Sequence, residues 1–203
     1  MAFARNGEVR VYYETFGVPS DPALLLVNGL GSQCVNYRVE WCERFAAAGH
    51  HVIRYDNRDV GQSSARARQR FTAAAPVDRD SYIADHLANL RTWGSPACFD
   101  PERSTANAAE AFDRCFDPAG QARQIAAVMA SGSRTAALRD IDVPTLVLHG
   151  DADTLIDASG GRRTADAIPG ARFVLVEGMG HDYPPQYWDR IVELVSGHTR
   201  SAV

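Results

Sequence analysis

The 203-residue sequence contains no Gly-x-Ser-x-Gly segment, no C-x-x-C pair, no apolar run long enough to span a bilayer and no dense basic stretch. Each absence removes a class of protein. A membrane span needs about 20 consecutive apolar residues, and the N-terminal MAFARNGEVR also lacks the apolar core of a secretory signal. A soluble, cytoplasmic chain with no membrane partner is expected. The formal net charge is -4, and the arginines are scattered apart from Arg66, Arg68 and Arg70. That argues against a nucleic-acid partner, and the small cluster reads as a solvated helix face or loop. Cys34, Cys42, Cys98 and Cys115 have neither the spacing nor the histidine neighbours of a zinc site. No metal, no cofactor and no disulfide framework is therefore expected, only ordinary buried thiols. Internal repeats and low-complexity segments are absent as well.

With 45% hydrophobic and 23% charged residues, the chain can bury one substantial core, so a single domain over residues 1–203 is expected. Its N-terminal part opens as a hairpin, with Asn6-Gly7 ahead of the β-branched and aromatic run VRVYYETF. ALLLVNG at 23–29 is a continuous apolar run, the pattern of a strand buried on both faces. A helix follows, with Cys34, Tyr37, Trp41 and Phe45 spaced by three and four, and HHVIRYD at 50–56 is a further strand. This is the strand-helix-strand order of a parallel sheet.

The pattern changes after Ser64. Between Ala65 and Val143 there are three Val and three Ile, no two adjacent. Helices are expected instead: YIADHLANLRTW with Ile83, Leu87 and Leu90 on one face, PERSTANAAEAFDRCF with proline at its start, and DPAGQARQIAAVMASG behind an Asp cap. Strands return at VPTLVLHG and ARFVLVE, with a helix from about Gly160 to Ile168 between them. GMGH at 178–181 is a turn, and a last helix from Pro184 turns Trp188, Ile191, Val192 and Val195 inward.

Four segments carry a resemblance: LLLVNGLGSQ at 24–33, VIRYDNRDVGQSS at 52–64, IDVPTLVLHGDADTLI at 141–156 and VEGMGHDYP at 176–184. In this order they are similar to the α/β-hydrolase fold family, and most to the bacterial esterase branch that includes aclacinomycin methylesterase. The resemblance implies an α/β fold: a shortened, mostly parallel sheet with flanking helices and a helical lid segment. An N-terminal sheet half would occupy 1–64, the lid 76–140, and a C-terminal sheet half with acid and histidine 141–203.

The resemblance also assigns roles. The catalytic acid falls on Asp153, with Asp151 as its competitor, because a carboxylate just past a strand's C-terminal end can fix a histidine tautomer. The base falls on His181. NGLGS corresponds to the oxyanion loop, with the Leu30 amide as donor and Asn28 where histidine is more common. DVGQS at 59–63 matches a structural turn of the family, and a loop from Asn57 to Gln62 separates Ser63 from the preceding strand. A nucleophile elbow needs strand, one strained turn and helix, so Ser63 is read as a bystander.

The resemblance places the elbow between RYDNRD and the lid, where GQSSARARQRF here runs almost directly into VDRDSYI. An internal deletion of strand, elbow, helix and strand follows. Either the flanking strands then pair directly or two apolar edges are left, which would favour self-association. Two functional readings stand side by side. One is a serine-type carboxylic-ester hydrolase by descent, acting on a small apolar ester, with Tyr82, Trp93, Phe99, Phe112 and Phe116 lining an acyl or aromatic pocket or simply packing a core. The other is a non-catalytic remnant or binding module.

Overall fold

The computed structural model describes residues 2–63 and 78–201. The arginine cluster at 66, 68 and 70 lies outside the described residues. The described chain forms two compact units. The first comprises Met1–Ile83 and Thr105–Ala130, the second Ala84–Ser104 and Ser131–Val203.

The first unit holds a four-stranded sheet of order β1-β2-β4-β3. β1 (Ala2–Asn6) and β2 (Val9–Phe16) form the expected hairpin, with Gly7 at a left-handed φ of 61° in its two-residue turn. β2 pairs antiparallel with β4 (His51–Tyr55), and β3 (Ala23–Leu26) pairs parallel with β4. Residue alternation puts Val52 and Arg54 on the buried face of β4. Arg54 is tolerated there because its guanidinium bonds Glu14, with Nε 2.8 Å from Oε2.

β3 is shorter than the apolar run suggested, and its pattern alternates between exposed and half-buried. It has a single sheet neighbour, so its other edge is unpaired among the described residues. Leu25 and Val27 are more than half exposed. The expected helix from Cys34 is also divided. A 3-10 turn at Cys34–Asn36 precedes α1 (Val39–Ala47), with Arg38 extended between them. The Cys34 amide, which has no acceptor within the turn, donates to the carboxylate of Asp56, 2.8 Å away. Trp41, Cys42 and Phe45 form the buried face of α1.

The second unit holds β5 (Leu146–Gly150) and β6 (Arg172–Val176), parallel and joined through α6 (Ala158–Ala167). Asp157 caps α6 by accepting the Ser159 amide at 2.9 Å. The closing helix, α7 (Pro185–Ser201), buries Trp188, Ile191 and Leu194. Leu194 takes the inner position, and Val192 and Val195 are half-buried.

Among the described residues the stretch up to Pro144 is helical or loop: α2 (Arg79–Trp93), a 3-10 turn at Pro96–Cys98, α3 (Pro101–Arg114), α4 (Pro118–Ser131) and α5 (Thr135–Leu138). The fold class is α/β, with helices flanking a mixed sheet. Among the described residues, strand pairing comprises one four-stranded and one two-stranded sheet. The antiparallel share comes from the N-terminal hairpin and its pairing with β4.

Two of the four thiols are fully buried, Cys34 and Cys42, while Cys98 and Cys115 are half-buried. Burial pushes the Cys34 thiol up to about 12, with the Asp56 carboxylate adding to the effect, and burial pushes Cys42 to about 11. Iodoacetamide at about pH 8 reacts with thiolate. Peptide mass spectrometry is expected to find Cys98 and Cys115 alkylated first, and Cys34 and Cys42 only after denaturation. Early labelling of Cys34 in the native chain would contradict this packing.

Candidate active site

The second unit brings Asp153 and His181 together. β5 ends at His149-Gly150, and the turn beyond it carries the acid. Oδ1 of Asp153 accepts the amides of Leu155 and Ile156, both at 2.9 Å. With one oxygen held by its own turn, the carboxyl group presents Oδ2 to Nδ1 of His181 at 2.7 Å. A carboxylate only accepts, so Nδ1 carries the proton and the lone pair of Nε2 is left for chemistry. The Asp153 side chain is 6% exposed and the imidazole 43%. The acid is thus shielded from water while the base can reach it.

Asp151, the competing acid, does something else. Its Oδ1 accepts the amide of Gly178 at 2.6 Å and pins the turn after β6. Gly178 takes a left-handed φ of 71° there. His149 supports the acid turn from below. Its Nε2 lies 2.8 Å from the Ile156 carbonyl and 3.5 Å from Asp153 Oδ2. A carbonyl accepts only, so Nε2 of His149 is protonated. Gly161 makes room for this ring, since a Cβ there would lie 2.5 Å from His149 Nδ1.

Of a further group of residues, the sequence singled out only Trp93, as one of the aromatics that could line a pocket. The end of α2 and the turn after it, Thr92 to Ser95, bond to both the acid turn and the histidine turn. The Thr92 carbonyl accepts the Thr154 hydroxyl, and the Trp93 carbonyl accepts the His181 amide, each at 2.7 Å. The Trp93 ring stands perpendicular to the imidazole, at 89° and 5.7 Å between centroids. Ser95, 1% exposed, accepts the Gly180 amide at 2.9 Å and donates to Asp182 Oδ1 at 2.6 Å. Its own amide donates to the same oxygen at 2.8 Å. The local signal in the sequence was only the breaker Gly94-Ser95-Pro96, which marks a helix end without saying what meets it.

The first unit carries the other sequence-derived candidates. Ser63 is buried, and its hydroxyl is fully engaged: it donates to the Asp56 carbonyl at 2.7 Å and accepts the Tyr12 amide at 2.9 Å. The turn leading to it has Asp59 and Gly61 at left-handed φ of 71° and 58°. In the glycine loop, Asn28 ties the backbone down by donating to the Tyr55 carbonyl at 2.9 Å, and Asn57 donates to the Asn28 carbonyl at 2.9 Å. Leu30 is exposed there, and the adjacent Gly31 amide donates to Oε1 of Gln124 at 2.8 Å.

The aromatic residues read from the helical segment fall into separate groups. Tyr82, Phe112 and Phe116 pack on one another at 4.8 to 5.5 Å between centroids. Tyr82 and Phe116 also line a shallow cleft with Gly31 and Asp59, roomy enough for only a few waters. Trp93 packs on His181, and Phe99 lies under the Arg91 guanidinium at 4.9 Å. Among the described residues no cluster of three or more His, Cys, Asp or Glu could hold a metal ion, and no helix is long and apolar enough to cross a membrane.

No family model matches the sequence. The chain is 28% identical to rhodomycin D methylesterase DauP of Streptomyces sp. (strain C5), with 96% of each protein covered. That alignment runs over 291 positions, so the 203 residues of this chain leave at least 88 of them (291 less 203) without a residue. Over 88 residues, 43% of the chain and 28% of the relative, it is 44% identical to rhodomycin D methylesterase DnrP of Streptomyces peucetius. Among solved structures, it superposes on the enol-lactonase from Burkholderia xenovorans LB400 with a TM-score of 0.78 at 20% identity, covering 98% of this chain and 100% of that one. The esterase RhEst1 from Rhodococcus sp. ECU1013 gives a TM-score of 0.76 at 16% identity, with 99% and 98% covered.

Proposed function

The chain belongs to the α/β-hydrolase fold family and is related to its esterases, and from that premise we propose that it is an ester hydrolase whose Asp153–His181 pair activates water directly instead of a serine alcohol. The observation that carries this reading is the 2.7 Å bond from His181 Nδ1 to a shielded carboxylate, with the rest of the imidazole open. In the proposed reaction, Nε2 takes a proton from a water molecule as its oxygen attacks the ester carbonyl carbon. The imidazolium, held by Asp153, then returns the proton to the departing alcohol. The tetrahedral oxyanion also needs a hydrogen-bond donor.

Three observations support a missing nucleophile elbow. The sequence has no Gly-x-Ser-x-Gly, the hydroxyl of Ser63 has both its bonds spent on backbone, and at least 88 aligned positions of the methylesterase relative are empty here. A chain without the nucleophile makes no acyl-enzyme, and the amide after it, the second oxyanion donor, is lost too. Triads stripped of the nucleophile keep only about 10³–10⁴-fold over water. Activated esters are therefore the substrates expected to turn over, with simple alkyl esters of small apolar acids far slower. The same three observations favour the second reading, a binding module that kept the scaffold and lost the chemistry.

A fluorophosphonate probe and a p-nitrophenyl acetate assay decide between these. The expected result is no covalent seryl adduct, together with slow hydrolysis proportional to protein and unchanged by Ser63→Ala. A covalent adduct that disappears in Ser63→Ala would sink the water mechanism. No hydrolysis above buffer would leave the binding module.

A further inference from the structure

We infer that Ser95 and Asp182 form a latch that fastens the helical arm ending at Trp93 to the histidine turn, so that the Asp153–His181 proton relay exists only while the 92–95 turn is docked. The inference rests on the proposed role of His181 as a base, and deepens it by naming what holds that base in place. Ser95 and Asp182 are positioning residues, since neither touches the reacting atoms.

The bonding is dense for so short a segment. The Ser95 hydroxyl sits between two partners on the far strand of the turn, accepting from Gly180 N–H at 2.9 Å and donating to Asp182 at 2.6 Å. These two residues flank His181, whose amide is held by the Trp93 carbonyl at 2.7 Å. Three successive residues of the histidine turn are thus bonded to two residues of the arm, Trp93 and Ser95. The approach of the two backbones is close enough to need glycine at 180, where a Cβ would lie 2.3 Å from the Gly94 carbonyl carbon. A seryl hydroxyl 99% out of water, with its donor and acceptor capacity both used on one neighbouring turn, is over-specified for filling space.

Removing the hydroxyl orphans the buried Gly180 amide and takes one of two donors from Asp182, which loosens the turn on either side of the imidazole. Asparagine at 182 keeps an Oδ1 that can still accept both Ser95 bonds, whereas alanine does not. The readout is the Nδ1 proton of His181 in the protein as it stands, followed by imidazole ¹⁵N-edited NMR of the full chain. Ser95→Ala and Asp182→Ala are each expected to speed solvent exchange of that proton by about tenfold or more, while Asp182→Asn stays within about threefold of the parent.

Should Ser95→Ala fail to fold, as read by circular dichroism, the comparison of Asp182→Asn with Asp182→Ala decides alone. An unchanged exchange rate in Asp182→Ala, or equal acceleration in Asp182→Asn and Asp182→Ala, overturns the latch. The measurement needs no turnover. A parent chain that shows the slow proton but hydrolyses nothing would end the proposed hydrolase activity and leave the latch standing.

Discussion

His181→Ala is expected to lower p-nitrophenyl acetate hydrolysis by about 10²–10⁴-fold, the range that a positioned general base contributes. The argument is geometric. The imidazole is held at Nδ1 by Asp153 and at its backbone by Trp93, with the other ring nitrogen open to a water molecule. Alanine removes the ring nitrogen that accepts the proton in the proposed reaction. Asp153→Asn is expected to approach the same loss, because an amide nitrogen turned toward Nδ1 would favour the opposite tautomer and protonate Nε2. Asp151→Asn is the matched control. Its Oδ1 can still accept the Gly178 amide, and the rate should stay close to that of the parent. A His181→Ala chain as fast as the parent would mean that hydrolysis occurs elsewhere, and the dyad would have no catalytic standing.

The second large effect concerns stability. Asp56→Ala is expected to cost about 3–5 kcal/mol, since removal of one partner leaves an uncompensated buried charge on the other. Asp56 is fully buried, with its two oxygens divided among three donors. Oδ1 accepts the Cys34 amide at 2.8 Å, and Oδ2 accepts the Gln62 amide at 2.8 Å and Arg114 Nη2 at 2.7 Å. Arg114 also donates to Gln33 Oε1 at 2.6 Å and lies 4.9 Å over the Tyr12 ring. The carboxylate therefore ties the glycine loop, the turn after β4 and helix α3 to one another. Urea unfolding followed by tryptophan fluorescence measures the loss. A change under about 1 kcal/mol would place Asp56 with the exposed ion pairs that contribute little. Asp56→Asn, which keeps the shape but not the charge, should fall between the two.

How much of this was legible before the structure follows from how local each signal is. The hairpin, the strand-helix-strand order and the long helical stretch are written in residue periodicity and in glycine and proline positions, and they reappear with shifted boundaries. The helix from Cys34 was read as continuous from its apolar spacing, whereas the structure breaks it into a 3-10 turn and α1 at the extended Arg38. ALLLVNG was read as buried on both faces because an apolar run carries no record of whether a neighbour exists to cover it. Only pairing reveals that β3 has one partner among the described residues.

At the candidate site, the sequence by itself determined the two residue types and the short turns that present them: Asp153 just beyond the strand ending in His-Gly and His181 in a glycine-rich turn. Which of Asp151 and Asp153 faces the imidazole was decided by the tertiary structure, since both lie in one turn and only folding sets which carboxylate points where. Ser63 likewise had a suggestive spelling, and its fate was fixed by the distant Tyr12 amide that occupies its oxygen. The hydrogen bonds of Ser95 and of the Trp93 carbonyl were invisible in advance for the same physical reason: their partners stand more than 80 residues along the chain, and hydrogen bonds between distant turns leave no periodic trace in either one.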